Sequence, residues 1–99
     1  MSVDATMYEL VAASQTDQVC GPTGGTGDLL ERLIIVPETT AAGTVAIQDG
    51  SDTAINVLVT GTLADLTPIV VEIGARSAAG AWSITTGANV HAIAVGRFK

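Results

Sequence analysis

The sequence predicts an all-β protein: a compact antiparallel β-sandwich or jelly-roll of seven or eight short strands with an N-terminal arm. Turn-forming groups of Gly, Pro, Asn, Asp and Ser recur about every ten residues, which is typical of such folds. The segments between them are rich in Val, Ile and Thr and alternate in polarity with a period of two. A chain of 99 residues, 47% hydrophobic but only 3% aromatic, forms one domain with a mainly aliphatic core.

The clearest hairpin is predicted around Asp49-Gly50. Residues 44–48 and 53–60 flank this dipeptide, and both segments alternate with a period of two, so one face of each strand is expected to be buried. Glycine at this point accommodates the positive φ that tight hairpin turns need. The second strand is expected to end at a turn over residues 61–65.

Three further strands are predicted between Pro68 and the C-terminus. Pro68 opens the first, since a proline at the start of a strand removes no hydrogen bond that the sheet needs. Residues 81–85 form the second strand and carry Trp82, the largest single piece of the predicted core. Residues 89–98 form the third, and both of its faces are apolar, as in a strand that has the core on one side and a neighbour on the other.

Two segments fit both a strand and a helix. Asp28 and Glu31 have the spacing of a helix cap and its capping-box glutamate. The β-branched run at 33–36, which ends at Pro37, favours a strand, and a strand is our prediction. Residues 7–13 are equally ambiguous, and we predict a strand there because the rest of the chain is β.

Three parts of the chain are distinguished. Residues 1–20 are predicted to form an N-terminal arm or strand, 21–27 a Gly-rich hinge, and 28–99 a single β-sandwich body. The glycine-rich segment is not a phosphate-binding loop, because Gly27 is followed by Asp28 rather than by the Lys and Ser/Thr that such a loop requires.

The charge pattern argues against nucleic acid and membrane partners. Ten acidic and four basic side chains give a formal net charge of −6. A phosphate-binding face needs grouped basic residues, whereas these are scattered along the chain: Arg32, Arg76, Arg97 and Lys99. No apolar run approaches the about 20 residues needed to span a bilayer. Only 14% of residues are charged, against about 25% in ordinary soluble domains, which predicts a surface to be covered by other chains.

No catalytic, cofactor-binding or metal-binding constellation is predicted, and the protein is not expected to be an enzyme. The alternation places His91, the only histidine, on a strand, where a strand or interface role fits best. Cys20, the only cysteine, has no base nearby in the sequence and is interpreted as a packing residue. The oxygens of residues 49–52 lack the ligand ladder of a calcium loop, and turn chemistry explains them.

From Gly27 to Phe98 the chain resembles a family of small virion proteins of tailed bacteriophages. The segments that carry the resemblance are GDLLERLIIVP (27–37), GTVAIQDG (43–50), VEIG (71–74), GAWSITTG (80–87) and VHAIAVGRF (90–98). The resemblance implies a head decoration or cement protein, an all-β homotrimer that binds the major capsid protein on the outer surface of the capsid. Such a protein is assembled into virions in the bacterial host cytoplasm. A tail, neck or fibre module, including one that contacts a host receptor, is the alternative.

The arm supplies the candidate contact residues. A strand that precedes a flexible hinge can add itself to the edge of a sheet on the capsid. Its anchors to the capsid or to other copies would be the apolar side chains Met7, Tyr8, Leu10 and Val11. An enzyme or ligand-binding domain is the third hypothesis, and it would require a deep pocket around His91 or Cys20.

Overall fold

The computed structural model describes residues 6–58 and 66–99, which form two four-stranded antiparallel sheets and no helix. The strands are β1 (Met7–Val11), β2 (Gln18–Val19), β3 (Leu29–Pro37), β4 (Val45–Asp49), β5 (Ile55–Leu58), β6 (Ile69–Arg76), β7 (Trp82–Thr86) and β8 (Val90–Arg97). Sheet A has the order β1-β8-β3-β6, and sheet B has the order β2-β7-β4-β5. The prediction of an all-β protein is therefore confirmed.

One apolar core joins the two sheets. Every second residue of β8 is buried, as the period of two requires, whereas the first three residues of both β4 and β7 are buried on consecutive positions. The largest fully buried side chains are Phe98, Leu30, Leu33, Ile35, Ile84, Val11, Val45 and Val90. The core is aliphatic apart from Phe98 and Trp82, as the composition indicates.

The ambiguous segment after Asp28 is strand β3, as predicted. Its helix-like leucine spacing has a structural cause, because the register of β3 shifts between Leu30 and Arg32. The extra residue at this bulge, Glu31, allows Leu30 and Leu33 to face the core although they are three positions apart. The spacing of the leucines is therefore explained by a bulge in a strand and not by a helix.

At the same bulge the backbone of β8 lies unusually close to β3. Gly96 pairs with Leu30. A Cβ atom added to Gly96 would overlap the carbonyl oxygen of Leu29 and would lie 2.9 Å from the ring of Phe98. Only glycine fits this position, since both obstacles belong to a fixed part of the fold.

The predicted hairpin at Asp49-Gly50 is present as β4 and β5. Asp49 ends β4 and Ile55 begins β5, so the connection is longer than a two-residue turn. Gly50 has a φ of 58°, and an added Cβ would lie 2.6 Å from the carbonyl carbon of Ala79. Residues 59–60 of the predicted second strand and the predicted turn at 61–65 lie outside the described residues.

The described part of the predicted arm is built into both sheets. β1 pairs along β8 at one edge of sheet A, and β2 pairs with β7 at one edge of sheet B. Val11 and Cys20 are fully buried in the core. Residues 6–20 therefore differ from a separate arm, because their apolar side chains complete the core of the same chain. Residues 1–5 lie outside the described residues.

The Gly-rich segment at 21–27 is tied to the C-terminal end of the described chain. The backbone N–H of Thr23 donates to the carbonyl oxygen of Lys99 at 3.0 Å, and that of Gly27 donates to the carbonyl oxygen of Ser77 at 3.0 Å. These hydrogen bonds connect residues that are 50 or more positions apart, so no local pattern in the sequence predicts them. The segment predicted as a hinge is thus hydrogen-bonded to the rest of the chain near both of its ends.

Candidate interaction surface

The outward face of sheet A is apolar across all four strands. The register aligns one outward side chain from each strand in a continuous row, which we call the apolar band: Leu10 of β1, Ile93 of β8, Ile34 of β3 and Val70 of β6. Tyr8 and Val95, which pair with each other, extend the band on one side. Val36, beside His91, extends it on the other.

Several side chains of this face are strongly exposed. Tyr8 is 71% exposed, and Leu10 and Val70 are each 56% exposed. Single exposed apolar side chains are normal on protein surfaces, whereas contiguous apolar patches mark sites of interaction. The neighbouring positions of these residues make the outward face of sheet A the candidate surface.

Paired polar side chains border the apolar band, an arginine with a glutamate on one side and a histidine with a glutamate on the other. On one side, Arg32 Nε lies 3.1 Å from Glu72 Oε2, and this pair lines a shallow groove together with Glu31 and Arg97. On the other side, His91 Nδ1 lies 2.9 Å from Glu38 Oε2. Exposed pairs of this kind contribute little to stability, but they place charges of both signs around an apolar centre.

The formal charges of this face cancel. Three of the four basic residues of the chain, Arg32, Arg76 and Arg97, lie at outward positions of β3, β6 and β8. Three acidic residues lie on or beside the same strands, namely Glu31, Glu38 and Glu72. The net charge of −6 is consequently carried by other parts of the chain.

The outward face of sheet B has a different character. A shallow groove there is lined by polar side chains, including Asp17, Gln48 and Ser83, and by the apolar side chains of Val19 and Ala81. Asp17 is itself bonded to β7, since its backbone N–H donates to Thr85 Oγ1 at 3.0 Å and its carboxylate accepts from the same hydroxyl at 3.2 Å. Sheet B also exposes two apolar side chains, Val19 and Ile55, but they lie on its opposite edge strands, whereas the apolar side chains of sheet A are aligned in one row.

Cys20 is not placed for nucleophilic chemistry. The side chain is fully buried. Burial raises the pKa of the Cys20 thiol to about 12, and the nearby carboxylates of Glu9 and Asp28 act in the same direction. A thiol with this pKa is protonated at neutral pH, and only the thiolate is an effective nucleophile. The interpretation of Cys20 as a packing residue agrees with this environment.

The acidic cluster at 49–52 serves the fold. The carboxylate of Asp49 accepts hydrogen bonds from the backbone N–H groups of Ala78, Ala79 and Gly80 at 2.8, 3.0 and 3.3 Å. These bonds, that from Ala78 above all, lower the pKa of Asp49. Within residues 6–58 and 66–99, no group of three or more His, Cys, Asp or Glu side chains is arranged to hold a metal ion.

Substitution of Asp49 by asparagine should make the free energy of unfolding less dependent on pH in the acid range. Because the pKa of Asp49 is lowered on folding, its carboxylate stabilises the fold fully above the ordinary pKa of 3.8. This stabilisation is lost as the pH falls through the lower, folded-state pKa. Urea unfolding from neutral pH to about pH 3 should show a stability gap between wild type and Asp49→Asn that closes on acidification.

Asp52→Asn is the matched control, because it removes one charge from the same loop. Equal and parallel losses in the two variants would show that the loop responds to charge alone and that the acceptor role of Asp49 is unimportant.

Asp28 is a buried junction between distant segments. Its Oδ2 accepts hydrogen bonds from the backbone N–H groups of Gly25 at 2.9 Å and Lys99 at 3.1 Å. Its carbonyl oxygen accepts from Trp82 Nε1 at 3.0 Å and from the N–H of Ser77 at 2.8 Å. The carboxylate occupies the place where a phosphate loop would offer N–H groups to a ligand, so this segment is structural.

The four predicted contact residues are divided between two faces of β1. Tyr8 and Leu10 point outward and are exposed, whereas Val11 is fully buried and Met7 packs against the core. The structure therefore brings only Tyr8 and Leu10 to the candidate surface.

The rest of the surface comes from β3, β6 and β8, and sequence reasoning did not assign it. Ile34, Val70 and Ile93 are separated by at least 20 positions and meet only through strand pairing. The signal that could have found them is the apolar character of both faces of β3 and β8. A strand with one face in the core needs a reason for an apolar second face.

Comparison of the sequence with protein-family models and curated proteins, and of the structure with solved structures, finds no match. Among the described residues there is no helix of the length and apolarity needed to cross a membrane.

Proposed function

We propose that this protein is a virion structural protein, a capsid decoration or cement protein that binds the outer capsid surface and stabilises contacts between major capsid subunits. The observation that carries the proposal is the outward face of sheet A, which is apolar and has no net formal charge. The sequence resemblance to small phage virion proteins is the reason for placing this role on a phage particle.

A cement protein acts by burying surface, and this chain is suited to that task. Burial of apolar surface contributes about 25 cal/mol per Å². Burial of unpaired charges opposes association, and beside the apolar band Arg32 is already paired with Glu72, while Glu38 is hydrogen-bonded to His91. A partner that covers the apolar band can thus leave these two pairs intact.

The proposed fold is a jelly-roll sandwich, and the strand pairing supports it. β1 pairs with β8, β2 with β7, β3 with β6, and β4 with β5. The first and third pairs belong to sheet A, the second and fourth to sheet B. Such nested pairs arise when one long hairpin is rolled into two sheets. Jelly-rolls are common in viral capsid and lectin domains.

The proposed partners are the major capsid protein and further copies of the chain, in a homotrimer. Three copies multiply the net charge of −6, which is tolerable on an outer surface and unfavourable against packaged DNA. The outer surface of the virion is therefore the proposed location.

The test is the position of the protein in particles made by the virus or prophage that encodes it. Antibodies against the purified chain should label the heads, and quantitative mass spectrometry should find it in numbers comparable to the major capsid protein. Labelling confined to the tail would replace this proposal with the tail or fibre alternative. Absence from purified particles would refute both.

A further inference from the structure

We propose that copies of this chain bind one another through the outward face of sheet A. The inference rests on the proposed function as an assembly protein and names the occupant of its candidate surface. The apolar band crosses all four strands of that sheet, and the side chains at its two ends, Leu10 and Val70, are each 56% exposed. Three features favour a second copy over a different occupant: charge, size and the shape of the sheet edge.

Charge favours a second copy at this face. Two molecules of net charge −6 repel each other wherever their acidic surfaces meet. On the outward face of sheet A, however, the three arginines offset three glutamates. When two such faces meet, Arg97 of one copy, which has no ion pair in its own chain among the described residues, can approach Glu31 of the other, and charge complementarity of this kind selects the partner and its orientation.

The size of the face favours a flat sheet as the occupant. With strands about 4.8 Å apart and about 3.3 Å per residue, the four strands span a face of roughly 20 by 30 Å. A stable interface buries about 800 Å² of accessible surface on each partner. Nearly the whole face must therefore be covered, which the equally large faces of neighbouring copies can do and a single added strand cannot.

The edge of sheet A that is formed by β6 does not favour association by strand addition. Edge strand β6 contains Gly74 with a φ of 63°. At this point its register against β3 is irregular, since Glu72 pairs with Arg32 but Ala75 pairs with Leu30. Irregular edges of this kind hinder pairing with another chain. Contact between faces, with side chains interdigitating as in packed sheets, remains the favoured geometry.

Two charge-introducing variants test the inference. Leu10→Glu and Val70→Glu change exposed side chains at opposite ends of the apolar band, so the fold should persist in both. The matched control is Ile55→Glu, which introduces the same charge at a side chain of equal exposure, 57%, in sheet B. Native mass spectrometry and sedimentation should show an oligomer for wild type and control. Both face variants should raise the dissociation constant by about 100-fold or more.

A second measurement uses the wild-type chain alone. Tyr8 is the only tyrosine and is 71% exposed in the single copy. Nitration of Tyr8 should slow as the protein concentration rises through the dissociation constant, because association covers its ring. A nitration rate that is independent of concentration while the oligomer forms would place the contact elsewhere and overturn the inference.

The outcomes separate this inference from the proposed function. A wild-type chain that stays monomeric, face variants that associate like wild type, or a control that dissociates as readily as they do would overturn the inference. If the chain is found on capsids under any of those results, the proposed function stands without it. If wild type associates through this face but is missing from particles, the inference stands and the proposed function fails.

Discussion

Replacement of Gly96 by alanine is expected to destabilise the protein by more than about 3 kcal/mol, a large part of the about 5–15 kcal/mol by which native proteins are stable. The new Cβ would overlap the carbonyl oxygen of Leu29 and press on the ring of Phe98. Both are held in place, the first by the pairing of β3 with β8 and the second by complete burial. Urea unfolding followed by far-UV circular dichroism measures the effect.

Gly74→Ala is the control for this prediction. Gly74 also lies in sheet A, but nothing occupies the space within 4 Å of an added Cβ. Its φ of 63° should make alanine cost about 1–2 kcal/mol through backbone strain alone. Equal losses at the two positions would show that the close approach of β8 to β3 at Gly96 is not important for stability.

Replacement of Trp82 by alanine is expected to cost about 3–5 kcal/mol. The side chain is buried in the core, and removal of its ring leaves a cavity between sheet B and the segment that contains Asp28. The substitution also removes the hydrogen bond from Trp82 Nε1 to the carbonyl oxygen of Asp28. The free energy of unfolding in urea gives the loss directly.

Trp82→Phe separates the cavity from the hydrogen bond. Phenylalanine fills much of the space, and the carbonyl oxygen of Asp28 keeps a donor in the N–H of Ser77. This variant should therefore lose about 1–2 kcal/mol, well below the alanine variant. A phenylalanine variant as unstable as the alanine variant would mean that the hydrogen bond, and not the packing, dominates.

Most strands could be predicted from the sequence because their polarity alternates. β4, β7 and β8 begin and end within one residue of the predicted bounds, and β6 begins one residue after Pro68, where its start is predicted. The N-terminal residues were harder to place, since Tyr8, Leu10 and Val11 put apolar side chains on both faces of β1. Their place in the sheets follows from contacts with β7 and β8, about 65 to 90 positions away, which local patterns do not contain.

The candidate surface was predicted only where it lies in one segment. Tyr8 and Leu10 lie two positions apart in the sequence, and both are among the four predicted contact residues. Ile34, Val70 and Ile93 join them only through the strand order of sheet A, and alternation gives the faces of a strand but not its neighbours. The charge balance of this surface could not be predicted for the same reason, because its arginines are scattered along the chain.

The nesting of the strand pairs has a consequence for how the protein is made on the ribosome. β8 lies between β1 and β3, so sheet A has a gap at its centre until the last strand has been synthesised. The β4–β5 hairpin can close early, whereas β1 must wait for a partner that emerges some 80 residues later. Loop closure over such distances slows folding. We therefore expect the nascent chain to stay open until β8 has emerged from the ribosome.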